Sequence, residues 1–145
     1  MLKVQIVGVG KLKEQYLRDG AAEYLKRLSR FAKVEVKELP ERDSLKDEAE
    51  DILRALRGHV VVLAVEGKQI SSEEFAQRLQ TVVDKGEELT LVIGSSCGLH
   101  ESVKERANEK ISFSKMTFPH QLMRVILLEQ LYRAFMINAG AEYHK

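Results

Sequence analysis

Leu89-Thr90-Leu91-Val92-Ile93-Gly94-Ser95-Ser96-Cys97-Gly98-Leu99-His100 runs a strand-forming segment straight into a loop of glycines and small side chains. Four apolar residues around one threonine, with no polar alternation, fit a strand covered on both faces, as in a parallel sheet flanked by helices. Val60 to Val65 repeats the signal, and Lys3 to Val9 carries the chain into Gly8-Val9-Gly10. Val34 to Leu39, stopped at Pro40, and Lys110 to Phe113 add two shorter strands.

Helical spacing fills the gaps between these strands. Leu17, Ala21, Tyr24, Leu25 and Leu28 share one face, as do Leu45, Ala49, Ile52, Leu53 and Leu56 before Gly58. Asp43, Asp47 and Glu48 at the start of that second helix favour the positive end of its dipole, a structural role that needs no acidic site. Ser71 and Glu74 form a capping box ahead of Phe75, Ala76, Leu79, Val82 and Val83. A short helix is expected over Ser102 to Asn108, and a long one from Pro119 to about Asn138. The alternation predicts an α/β domain with a mainly parallel sheet and helices on both faces. Ligands of such sheets sit beyond the carboxyl ends of the strands, which directs attention to the loops after Val9, Val65, Ile93 and Phe113.

The chain has 145 residues, 44% of them hydrophobic and 31% charged, which suits one domain over residues 1–145 with a substantial core. No apolar run is long enough to span a membrane and the N-terminus enters a strand directly, so a cytoplasmic protein without membrane attachment is expected. The lone Cys97 offers neither an internal disulfide nor a thiolate metal site, and no metal is expected. A net charge of +1 argues against wrapping long nucleic acid by charge alone. The distribution is uneven: residues 1–37 hold nine Lys/Arg against four Asp/Glu, and residues 38–51 hold two against seven. Lys26, Arg27 and Arg30 are candidate contacts to a phosphate backbone.

Common catalytic motifs are absent. Lys13 stands where a dinucleotide fingerprint needs its third glycine, there is no Gly-Lys-Ser/Thr phosphate loop, and no serine sits in a Gly-x-Ser-x-Gly elbow. No acidic residue ends the first strand, which disfavours a phosphorylation switch.

The glycine loop is followed by Ser112-Phe113-Ser114-Lys115-Met116-Thr117-Phe118-Pro119-His120, then Gln121-Leu122-Met123-Arg124-Val125 and Glu129-Gln130-Leu131-Tyr132-Arg133-Ala134. The chain ends Glu142-Tyr143-His144-Lys145. Together with Val65-Glu66-Gly67-Lys68, and over essentially the whole chain, this set resembles the RlmH family of SPOUT methyltransferases. The resemblance implies a C-terminal trefoil knot, a homodimer, and S-adenosyl-L-methionine as cofactor. It also implies methylation of N3 of pseudouridine 1915 in the 23S rRNA of assembled ribosomes.

Carried over by position, the cofactor's adenosine would lie against Leu63, against Gly94, Ser95 and Gly98, and against the backbone of Ser114, Lys115, Met116, Thr117 and Phe118. Arg133, Arg124 and His120 are the candidate donors to charge developing on the base, His144 is a candidate general base or proton relay, and Tyr143 could stack on the base. The family usually has two adjacent glycines after the fourth strand, where this chain has Gly94 followed by Ser95. A positive backbone angle at Ser95 would cost about 1–3 kcal/mol and weaken cofactor binding. That departure motivates a second expectation, a ribosome-binding module of the same fold with weakened catalysis. The last helix carries more apolar residues than one core stripe can use, as a helix with a partner on its second face would.

Overall fold

The computed structural model describes residues 1–145. Its elements are β1 (Leu2–Val9), α1 (Gln15–Leu28), β2 (Ala32–Leu39), α2 (Leu45–Ala55), β3 (His59–Gln69), α3 (Ser72–Asp84), β4 (Leu89–Ile93), α4 (Glu101–Arg106), β5 (Glu109–Ser112) and α5 (His120–Asn138). All strand pairs are parallel, in the order β2-β1-β4-β3-β5. The central strand β4 is buried along its whole length, Thr90 included, as expected of a strand covered on both faces.

The sheet separates two cores. On one face Val4, Ile6, Leu91 and Ile111 pack with Ala21 and Leu28 of α1, Phe75 and Leu79 of α3, and Leu127, Leu128, Leu131 and Phe135 of α5. On the other, Val7, Val60, Val62 and Val92 meet Ala49 and Ile52 of α2 and Val103 of α4. Neighbouring strand residues thus point to opposite faces, and each face buries an apolar helix stripe. No helix is long and apolar enough to cross a membrane.

Three boundaries differ from the sequence reading. Strand β3 continues past Val65 to Gln69, because a register shift between Leu63 and Lys68 lets Lys68 and Gln69 pair again with Ile111 and Ser112. Phe113 falls outside β5 and sets its ring edge-on to Phe75 at 6.1 Å, so an apolar side chain that reads as strand is a plug beneath the following loop. Helix α2 ends at Ala55 with an extended Leu56, and Gly58 belongs to the turn after it. The capping box forms as read, with the Ser71 hydroxyl and the Glu74 carboxylate each accepting from the other's backbone N–H at 3.1 Å.

Helix α5 is pinned to the N-terminal strands by Arg124, which is 1% exposed. Its guanidinium donates to Glu38 at the end of β2 (2.6 Å) and to the Gly10 carbonyl (3.0 Å). Gly8 makes room for it, since a Cβ there would lie 2.7 Å from the guanidinium. Burial pushes the Arg124 guanidinium below its ordinary range and Glu38 works against that shift. An unpaired guanidinium in this position would cost several kcal/mol, so the Glu38 pairing stabilises the buried charge. Arg124 thus ties the last helix to the end of β2 and to the first loop, with its guanidinium bonded to Glu38 and Gly10.

Candidate active site

The irregular segment of β3 around Leu63 to Glu66 and the loops that follow β4 and β5 line a cavity of about 500 Å³, within the size range of small-molecule and cofactor sites. Of the four loops singled out by topology, the one after β1 takes no part; Gly10 to Lys13 turns instead against Glu38 and Gln121. Leu63, Gly94, Ser95, Gly98, Ser114, Met116, Thr117 and Phe118 all line the cavity, whereas Lys115, within the same segment, does not.

Gly94 ends β4 where two backbone segments nearly touch. A Cβ at this position would stand 2.3 Å from the Gly98 carbonyl oxygen and 2.7 Å from its carbon. The loop folds back on itself through the Gly98 N–H donating to the Ser95 carbonyl (2.9 Å), with Gly98 at φ +88°. Ser95 has no positive φ, and its hydroxyl accepts from the Cys97 N–H at 3.3 Å. The strain that a second glycine would relieve is thus not present at Ser95. The 114–118 loop is shaped in a similar way: the Ser112 hydroxyl donates to the Ser114 carbonyl, and the Ser114 hydroxyl accepts from the Met116 N–H, both at 2.9 Å.

His120, the first residue of α5, also lines the cavity, and its buried Nε2 has no hydrogen-bond partner. Buried polar atoms are almost always paired, so this nitrogen is suited to a polar group of a bound ligand. The only charged side chains on the lining are Glu66 and Lys104, paired with each other, and Lys104 holds the Glu66 carboxyl below the usual range.

Arg133, Tyr143 and His144 do not line this cavity. They form a second cluster around Glu129, which accepts from Arg133 through both oxygens (Nε at 3.2 Å, Nη2 at 3.0 Å) and from the Tyr143 hydroxyl at 2.7 Å. This pairing raises the Arg133 guanidinium further above neutrality. Burial and then the hydrogen bond to Glu129 push the Tyr143 phenol far up, so it stays neutral and donates. His144 lies between Arg133 (Nδ1, 2.9 Å) and Glu73 of α3 (Nε2, 2.6 Å). Arg133 also sits 4.8 Å over the Tyr143 ring, Tyr143 is edge-on to Tyr132 at 4.9 Å, and Arg27 of α1 lies over Tyr132 and Tyr24. The basic face of α1 and the C-terminal tail are therefore one continuous surface.

Arg133 lies thirteen positions along α5 from His120, about 20 Å along the axis. Within one subunit the cavity and the Arg133 cluster are two separate places. Glu129 was legible in principle, being four residues before Arg133 on a helix. Glu73 carried no such signal, because only the fold brings α3 to the tail.

A family model described as "Predicted SPOUT methyltransferase" matches residues 2–144. The chain is 50% identical to the ribosomal RNA large subunit methyltransferase H of Bacillus cytotoxicus and to that of Bacillus thuringiensis, covering 99% of this chain and 100% of each relative. Among solved structures it is similar to a probable methylase family protein from Haemophilus influenzae (TM-score 0.57, 12% identity, 98% of this chain and 70% of that one). It is also similar to the SpoU methyltransferase AviRb from Streptomyces viridochromogenes in complex with AdoMet (TM-score 0.52, 12% identity, 97% and 61%).

Proposed function

Because this chain belongs to the SPOUT methyltransferase family, we propose that it methylates N3 of pseudouridine 1915 in the 23S rRNA of assembled ribosomes, using S-adenosyl-L-methionine. Residues 1–145 act as one SPOUT domain, with the C-terminal loops tied in the family's trefoil knot. The observation that carries the reading is the cavity at the ends of β3, β4 and β5, with its Gly94 cradle and the unpartnered Nε2 of His120.

The adenosine is held by Leu63, by the Gly94 to Gly98 loop and by the backbone of residues 114 to 118; fixed backbone donors and acceptors suit a base edge. When bound, the cofactor supplies a methyl group already activated on a sulfonium. What the protein must add is placement of the acceptor nitrogen, removal of its proton and stabilisation of the charge left on the flanking carbonyls. Arg133, held as a fork by Glu129, has further N–H groups for that charge, and His144 beside it is the base. Tyr143, with Arg133 over its ring, offers a stacking face.

The separation along α5 between the cavity and the Arg133 cluster is closed by a second copy. We assign a homodimer in which the tail of one subunit meets the cavity of the other, and the partly exposed Leu122, Met123, Val125 and Ile126 of α5 provide apolar surface for it. Lys26, Arg27 and Arg30 dock the rRNA backbone next to the tail, in the cytoplasm where ribosomes assemble. The weakened-module reading rested on strain at Ser95, and the ordinary backbone there leaves it without support.

The test is transfer of labelled methyl to ribosomes that carry or lack the target pseudouridine. Labelling of the former alone is expected; equal labelling of both would overturn the proposed acceptor.

A further inference from the structure

We propose that Glu73 and His144 work as a pair, in which His144 Nδ1 takes the acceptor's proton and Glu73 is the positioning residue that prepares it. This rests on the reading of the tail as part of the active site, and adds to it the tautomer, the proton's destination and the class of base accepted.

A guanidinium carries N–H groups and no lone pair to offer. It only donates, so the His144 Nδ1 that faces Arg133 Nη1 at 2.9 Å is an unprotonated acceptor. The ring proton is therefore on Nε2 and is donated to Glu73 Oε1 at 2.6 Å. Glu73 stands in the first turn of α3, next to the Ser71–Glu74 capping box that fixes the local backbone. Arg133 is held by both oxygens of Glu129. A fixed donor and a fixed acceptor thus lie side by side, bonded to each other for want of another partner.

An imide edge presents the complementary pattern, a carbonyl oxygen beside an N–H. Entering between the two groups, the carbonyl replaces Nδ1 as the acceptor from Arg133, and the N3–H is donated to the lone pair that is released. The N3–H bond then breaks with its proton on Nδ1, the N3 electron pair forms the bond to the methyl group, and the pair of the broken S–CH3 bond stays on sulfur. The imidazolium so formed keeps its Nε2–H on the Glu73 carboxylate, which stabilises the new charge. A cytosine-type ring, with a bare lone pair at N3, would face the lone pair of Nδ1 and be refused. The pair selects bases with an imide N–H.

The experiment uses the full-length protein with Glu73→Ala, Glu73→Gln and Glu73→Asp, assayed for kcat and KM on ribosomes and for S-adenosylmethionine affinity by calorimetry. Glu73→Ala is expected to lower kcat by about 100-fold with cofactor affinity unchanged, and Glu73→Asp to recover part of the loss. In ¹⁵N NMR spectra of the wild-type protein, His144 should show an unprotonated Nδ1, and in Glu73→Ala a mixture of tautomers. A Glu73→Ala enzyme with wild-type kcat overturns the proposal. If the variant does not fold, the wild-type spectrum decides alone, and a protonated Nδ1 there overturns it. Loss of activity in His144→Ala with none in Glu73→Ala would sink the pair and leave the tail reading standing, whereas full activity in both His144→Ala and Arg133→Ala would remove that reading as well.

Discussion

Replacing Arg133 by alanine is expected to lower kcat for ribosome methylation by about 10²- to 10³-fold, while the affinity for S-adenosylmethionine stays within about twofold. The split follows from location. Arg133 is outside the cavity of its own subunit, touching Glu129, His144 and the Tyr143 ring, so its removal leaves the cofactor's contacts intact. On the role proposed for Arg133, what is lost is a prepared donor to the charge that spreads over the imide carbonyls when N3 gives up its proton. Glu129 spends the cost of orienting that donor in advance by binding it through two oxygens. Arg133→Lys keeps the charge without the fork and should fall between wild type and alanine. Rapid-mixing kinetics on ribosomes beside calorimetry of the free protein checks this. Equal losses in turnover and cofactor affinity would point to a damaged fold.

The second large effect belongs to Gly94. Its missing Cβ leaves the space that the Gly98 carbonyl occupies, and a methyl group 2.3 Å from that oxygen meets backbone, which cannot rotate aside. Gly94→Ala must part the loop that lines the cavity. The expected result is a fall of about 100-fold or more in S-adenosylmethionine affinity, equivalent to about 2.7 kcal/mol. Ser95→Gly one residue on is the control. Because Ser95 already has an ordinary backbone angle and its hydroxyl bonds only within the loop, the added glycine should change affinity by less than about threefold. Calorimetry with both variants, each checked for cooperative thermal unfolding, decides the matter. A Gly94→Ala protein that binds the cofactor normally would show that the loop is not the cradle described.

The parts of this molecule that follow a period were legible before any coordinates. Strand β4, buried on both faces, announces itself in four apolar residues around one threonine, and α3 in a capping box followed by a regular apolar stripe. The cavity-lining loops could be located because parallel sheets put their ligands at one end. Arg124 shows where such reading stops. It stands in the same helix and motif as Arg133, yet one guanidinium is locked to Glu38 beneath Gly8 and the other to Glu129 beside the tail. Nothing in the spacing of the two arginines foretells that Arg124 pairs with an acid 86 residues away. Glu38 and Glu73 are far from their partners along the chain, and pairing of that kind is a property of the fold. The separation between the cavity and the Arg133 cluster was likewise invisible, although family resemblance had grouped both sets as one site.

That separation makes the two-subunit site the claim on which the account depends. Its most direct test is to co-express differently tagged Arg133→Ala and Gly94→Ala chains and purify the mixed dimer. In a site built from one subunit's cavity and its partner's tail, the mixed dimer has one cavity with Gly94 facing one tail with Arg133. Two inactive parents should therefore yield about half the wild-type activity per dimer. A mixed dimer as inactive as either parent, with both chains folded, would contradict the account.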